Sequence, residues 1–191
     1  LLHKDVQFIK QFNTFFVIFF RKSIFIKEGT IKHTKKFMNN VFISYRRDDS
    51  AGYAGRLADA LEQMFGPGKI FRDVEDIPPG DDFVKAIENN LQNASVVLVV
   101  IGKSWLTAQD ADGLLRLNDP KDFVRLEIET ALKDKLQVVP VLVNNAVMPK
   151  PEELPESIAA IAYRQALEIS DIRWDDDIKR LHKVLLTSIS G

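Results

Sequence analysis

No cysteine occurs among the 191 residues. That excludes disulfides, thiolate zinc sites and a cysteine nucleophile, and it suits a reducing compartment such as the cytoplasm. Histidine is scarce as well: His3, His33 and His182 are scattered and show no metal-ligand spacing. The glycine-based nucleotide and nucleophile signatures are missing. No G-x-G-x-x-G follows the first expected strand, and no G-x-S-x-G occurs anywhere. Gly102-Lys103-Ser104 has the ending of a P-loop, but Val97 stands where the required earlier glycine belongs. Dinucleotide oxidoreduction, phosphoryl transfer and serine hydrolysis all lose support.

A surplus of positive charge is lacking where it would matter. Residues 1–37 hold seven Lys and one Arg against Asp5 and Glu28, a net +6, and the other 18 basic and 25 acidic residues give −7. An acidic body argues against a nucleic-acid binder, which would present a basic face. The two parts also differ in composition. Phe, Ile and Lys fill 20 of the first 37 positions and Ala none, whereas 14 Ala follow. We read Met38 as the native start, residues 1–37 as a non-native or disordered extension, and residues 38–191 as the domain. The competing reading of the extension is a membrane-surface anchor, because Arg21-Lys22 follows the apolar run Phe15 to Phe20. That run is far shorter than the roughly 20 residues a spanning helix needs, and no small-residue cleavage site follows it.

From Val41 onward, strand and helix patterns alternate. Val41 to Tyr45 is a short apolar run. Ser50 is placed to cap a helix with Ala54, Leu57, Ala58, Leu61, Met64 and Phe65 on one face, stopped by Gly66-Pro67-Gly68. Ile70 to Arg72 reads as a second strand. After Pro78-Pro79-Gly80 comes a helix with Phe83, Val84, Ile87 and Leu91 inward. Ser95 to Ile101 is apolar and β-branched throughout, as in a central strand covered on both faces. Gln137 to Val143 is similar, with Pro140 suggesting a bulge or an edge position. Tyr163 to Ile169 completes the strands, and Ile178, Leu181, Val184 and Leu185 mark a last helix. The alternation predicts a parallel sheet with helices on both faces, which binds ligands beyond the carboxyl ends of its strands.

The loops at those ends carry Arg46-Arg47-Asp48-Asp49, Asp73-Val74-Glu75-Asp76 and Gly102-Lys103-Ser104-Trp105. Each alone reads as a solvated turn beside a helix. Together they would gather two guanidinium groups, several carboxylates and an indole around one crevice, and arginine forks suit diphosphates. The next helix is expected to open at Pro120, with Asp119 as its cap, Asp122 in its first turn, and Val124, Ile128, Ala131 and Leu132 buried. Phe123 and Glu127 are neighbours at i, i+4 on the flank of that face. A ring beside a carboxylate suits a planar cationic substrate. The ring stacks on it, and the carboxylate stabilises an oxocarbenium ion when an N-glycosidic bond breaks. The plainer alternative is an amphipathic helix with Glu127 exposed and paired to Lys121 or Arg125.

Taken in order, the segments resemble TIR domains over about residues 39–186. Val41 to Arg47 resembles their opening box, Phe71 to Gly80 their BB loop, Ser95 to Ile101 their central strand, and Asp122 to Leu132 the catalytic helix of NAD-cleaving members. The usual form of that helix is Asp-Trp-Val-Arg-x-Glu-Ile, so Phe123 replaces a Trp. Val138 to Val143 and Trp174 fit the closing part. The resemblance implies an α/β, flavodoxin-like three-layer sandwich with a five-stranded parallel sheet. It also implies NAD+ glycohydrolase activity with linear or cyclic ADP-ribose as product, no cofactor beyond NAD+ as substrate, and a place in signalling or anti-phage defence. It carries Glu127 over as catalytic, and Arg46, Arg47, Asp73, Glu75 and Phe123 as substrate-binding; Ser104 and Trp105 are expected to bind substrate from their place after the third strand. Self-association through the BB loop (residues 73–82) is the implied trigger, with other TIR domains as further partners and neither nucleic acid nor a membrane among them. Thr107 to Asp119, ahead of the catalytic helix, is long and is expected to be mobile. Two other readings compete: a non-catalytic TIR interaction module, and a phospho-receiver built on Asp48-Asp49. The receiver lacks a phospho-accepting Asp after the third strand, where Gly102-Lys103-Ser104 stands.

Overall fold

The computed structural model describes residues 40–72 and 82–190. The expectations placed on 1–37 and on most of the BB loop, Asp73 and Glu75 included, lie outside the described residues. Five strands form one sheet: β1 (Asn40–Tyr45), β2 (Ile70–Arg72), β3 (Ala94–Ile101), β4 (Gln137–Val143) and β5 (Leu167–Ile169). Their order is β2-β1-β3-β4-β5 and every pairing is parallel. This is the flavodoxin-like order, whose direction reverses between β1 and β3.

Side-chain alternation along the strands sorts the core into two layers. Val41 and Ile43 of β1 and Val96, Leu98 and Val100 of β3 pack with helix α1 (Arg47–Phe65) and helix α4 (Trp174–Ser190). Phe42, Val97, Val99 and Ile101 point the other way, onto helix α2 (Phe83–Leu91) and helix α3 (Phe123–Lys133). β3 is central and apolar on both faces because both are covered. Ser44, two residues after Phe42 and in register with Val99, falls on the α2/α3 side.

Several local expectations are corrected. Ser50 does not open the first helix. The helical path begins at Arg47 and is broken by a kink at Ser50, whose φ of −139° is non-helical. Met64 is exposed rather than part of the buried face, while Phe65 is half-buried. β4 is an interior strand without a bulge at Pro140, which pairs with Val99. The proline is tolerated because β5 begins to pair only at Val141, one residue later. β5 is shorter than Tyr163 to Ile169: Ala159–Tyr163 is a 3-10 helix, and Tyr163 is exposed. In α2, Ile87 and Leu91 are buried as expected, and the side chains of Phe83 and Val84 lie outside the described residues. Among the described residues, no helix is long and apolar enough to cross a membrane.

Candidate active site

The carboxyl end of β1 and the start of α3 meet on the α2/α3 side of the sheet. α3 does not open at Pro120. Asp119 instead closes a turn of its own, accepting from the Lys121 N–H at 2.8 Å. The helix begins at Phe123 with Asp122 as N-cap, the Asp122 carboxylate accepting from the Arg125 N–H at 3.0 Å. The same carboxylate receives both ends of the Arg46 fork, Nη1 to Oδ2 at 2.9 Å and Nη2 to Oδ1 at 3.1 Å. Arg116 Nε stands 3.4 Å from Oδ2. Both members of the pair are buried. A buried bidentate pair is directional, and removing one member strands the other's charge.

Glu127 lies a little over one turn into α3. It is only 4% exposed, and its Oε2 accepts from Ser44 Oγ at 2.6 Å. The exposed Glu127 of the plainer alternative is therefore corrected. Arg125 pairs with Glu129 instead, Nε to Oε1 at 2.7 Å, and its Nη1 donates to the carbonyls of Leu117 and Asn118. Ser157 also donates to Glu129. Burial raises the Glu129 carboxyl, but those two donors and the Arg125 charge outweigh it and hold the group below its ordinary value. Glu127 thus lies buried beside the carboxyl end of the sheet with a hydroxyl donor on its carboxylate.

Asp49 ties the β1 loop to the β3 loop. Its carboxylate accepts from the N–H groups of Gly102 at 2.8 Å and Ser104 at 2.7 Å. A Cβ at Gly102 would collide with that carboxylate, so any other residue there would displace the Asp49 side chain from its grip. The Gly102 turn is thus filled by the chain's own anion at the point between β1 and β3 where sheets of this order commonly receive phosphates. Asp48, exposed, faces Arg116 at 3.4 Å.

The expected substrate-binding residues are placed unequally. Phe123 is 45% exposed, and Arg47 and Ser104 are also exposed. Arg46 is 1% exposed and engaged with Asp122, so it offers no face to a diphosphate; it organises the site from within. Trp105 is wholly buried in the core of the α2/α3 layer and is not a crevice indole. The segment 107–119 is folded on itself rather than left as an irregular loop. Arg116 N donates to Ala108 O, Asp110 Oδ1 receives the N–H groups of Asp112 and Leu114, and Gly113 takes a φ of 79° at the tip. Sequence reasoning gave no role to Ser44 or Arg116, gave Asp49 only a share in the loop carboxylates and in the receiver reading, and took Asp122 only as a first-turn residue. One signal was available: Arg46, extended and just past the end of β1, sits two residues after Ser44, hence on the same face. A separate cleft of about 370 Å³, lined by Lys103, Leu106, Asn145, Val147 and Lys150 among others, includes neither Glu127 nor Arg46. Among the described residues no group of His, Asp and Glu could hold a metal ion.

Comparison with known proteins gives a consistent result. A family model described as TIR domain matches residues 41–182. The chain is 32% identical over 148 residues to a Danio rerio protein named NAD(+) hydrolase SARM1, covering 76% of this chain and 19% of that protein. It is 30% identical over 138 residues to NAD(+) hydrolase sarm1 of Drosophila melanogaster, covering 72% of this chain and 9% of that protein. The chain thus spans a fifth or less of these relatives' length. Among solved structures, the TIR domains of the activated Roq1 resistosome that recognises the effector XopQ share the fold, with a TM-score of 0.54 at 15% identity over 76% of this chain and 98% of that one.

Proposed function

The chain belongs to the TIR domain family, and on that premise we propose that it is an NAD+ glycohydrolase whose catalytic group is Glu127. The observation that carries this reading is the buried Glu127 carboxylate, held by Ser44 on a helix whose start is locked to β1. A carboxylate held at that depth suits a developing ribosyl cation. In the reaction, the bond between C1′ of the ribose and the nicotinamide nitrogen breaks. The electron pair leaves with the nitrogen, which turns the cationic pyridinium into neutral nicotinamide. Glu127 stabilises the oxocarbenium ion left behind. Water then adds and loses a proton to give ADP-ribose, or an adenine nitrogen closes the cyclic product.

The exposed Phe123 ring is the stacking surface for nicotinamide, smaller than the indole usual in the family. Arg47 and Ser104 are exposed polar groups in the loops that follow β1 and β3 and are assigned to the nucleotide. Asp73 and Glu75 belong to the same proposal through the BB loop. Self-association through residues 73–82 brings the site to competence, in a signalling or defence setting. Two NAD(+) hydrolases are among the relatives matched over this domain, which supports the assignment.

The test is nicotinamide release from NAD+ by concentrated protein, for the wild type, Glu127→Ala and the isosteric Glu127→Gln. Loss of the carboxylate is expected to lower kcat by about 10³-fold. Equal release by all three would overturn the assignment. Absence of release from each, even after forced clustering, would favour a non-catalytic interaction module.

A further inference from the structure

We propose that Ser44 is the positioning residue of Glu127, and that β1 holds α3 at two points so that this carboxylate keeps one orientation. The inference rests on the NAD+-cleaving reading and refines it. Ser44 interrupts an apolar run. Val41, Phe42 and Ile43 precede it, and its neighbours on the α2/α3 side are Phe42 along the strand and Val99 across it. A hydroxyl in such a place is costly unless it is bonded. Ser44 is 1% exposed, and its hydroxyl donates to Glu127 Oε2 at 2.6 Å.

Two residues further on, and on the same face, Arg46 holds Asp122 with both arms of its fork. The spacing of the two grips is compatible. Two strand residues advance about 6.6 Å, and the five helical steps from Asp122 to Glu127 advance about 7.5 Å. Ser44 on the strand and Arg46 in the extended residue just past it therefore meet Glu127 and the N-cap Asp122 of a helix running the opposite way. The Arg46–Asp122 pair sets where the helix starts. Ser44 then removes the remaining freedom of the carboxylate, and a donated hydroxyl favours a carboxylate's charged form. Preorganising an anion before positive charge develops is the arrangement that lowers a barrier without reorganisation at the moment of reaction.

The experiment compares full-length wild type, Ser44→Ala and Ser44→Thr in nicotinamide release, with Glu127→Gln as the inactive reference. Ser44→Ala removes a single oxygen. It is expected to lower kcat about 10- to 100-fold with KM within about twofold, and Ser44→Thr to regain most of the rate because it keeps the donor. An unchanged kcat in Ser44→Ala, or a loss that Ser44→Thr does not reverse while it folds with the wild-type thermal midpoint, overturns the proposal. The two ideas are separated by a measurement independent of turnover, the titration of the Glu127 side-chain carbon followed by 13C NMR and assigned with Glu127→Gln. Loss of the donor moves that titration to higher pH in Ser44→Ala. Coincident curves overturn the positioning role. A shifted curve in a protein that releases no nicotinamide leaves the positioning role standing and sinks the NAD+ reading.

Discussion

At the residue scale, Asp122 does the most with one side chain. It caps α3, receives the Arg46 fork and faces Arg116. Asp122→Ala removes the cap and leaves the Arg46 guanidinium buried without its counter-ion, a loss of about 3–5 kcal/mol. The expected outcome is a thermal midpoint lower by about 10 °C. The double variant Arg46→Met/Asp122→Leu is expected to recover part of that loss, because no charge is then left buried. Thermal unfolding of both variants checks this; a double variant no more stable than Asp122→Ala contradicts the account. The residues legible in sequence here were those with a patterned role. Glu127 stood out by its place after an aromatic residue and before Ile128. Arg46 and Trp105 did not show which way they face, since a guanidinium and an indole each suit either a crevice or an interior, and burial is set by partners distant in sequence. Asp122, for Arg46, is 76 positions away.

At the element scale, α3 carries the candidate site and is fastened from three directions. Asp122 is gripped by Arg46 just past β1, Arg125 reaches back to the carbonyls of Leu117 and Asn118, and Glu129 is held by Arg125 and Ser157. The last fastening is sensitive to pH. The Glu129 carboxyl is held below its ordinary value of 4.5 in the folded chain, so its contribution is complete above that value and is lost as pH falls through the lower folded one. Wild-type stability is therefore expected to fall more steeply than that of Glu129→Gln between about pH 5 and pH 3. Urea unfolding across that range checks it, and parallel curves would exclude the fastening as a source of acid sensitivity. Periodicity located the helix by Val124, Ile128 and Ala131, all buried. It misplaced the start by three residues, because Asp119, Pro120 and Asp122 all suit a helix N-terminus and only the Arg46 contact selects among them. The same limit applies at Ser50, where a suitable cap became a kink inside α1.

At the scale of the whole molecule, the order β2-β1-β3-β4-β5 places the ends of β1 and β3 side by side. Asp49 spans the gap to the N–H groups of Gly102 and Ser104. That turn is already occupied by an internal anion, the Asp49 carboxylate. If the BB loop docks on a second copy, the rate of nicotinamide release per mole of protein rises with protein concentration, and a charge introduced by Ile77→Asp flattens that rise. Activity measured across a dilution series checks both, and a wild-type rate per mole that does not vary would count against activation by self-association. The sequence by itself determined the alternation of strand and helix, the two-sided burial of β3 and the helix that bears Glu127, because those follow from local periodicity and from which residues avoid water. Only the tertiary structure decided that Glu127 is buried against Ser44, that Arg46 is spent on Asp122, and that Trp105 belongs to the core. Each of those outcomes depends on a partner brought close by the parallel crossovers, and no local pattern encodes the distance between side chains so far apart along the chain.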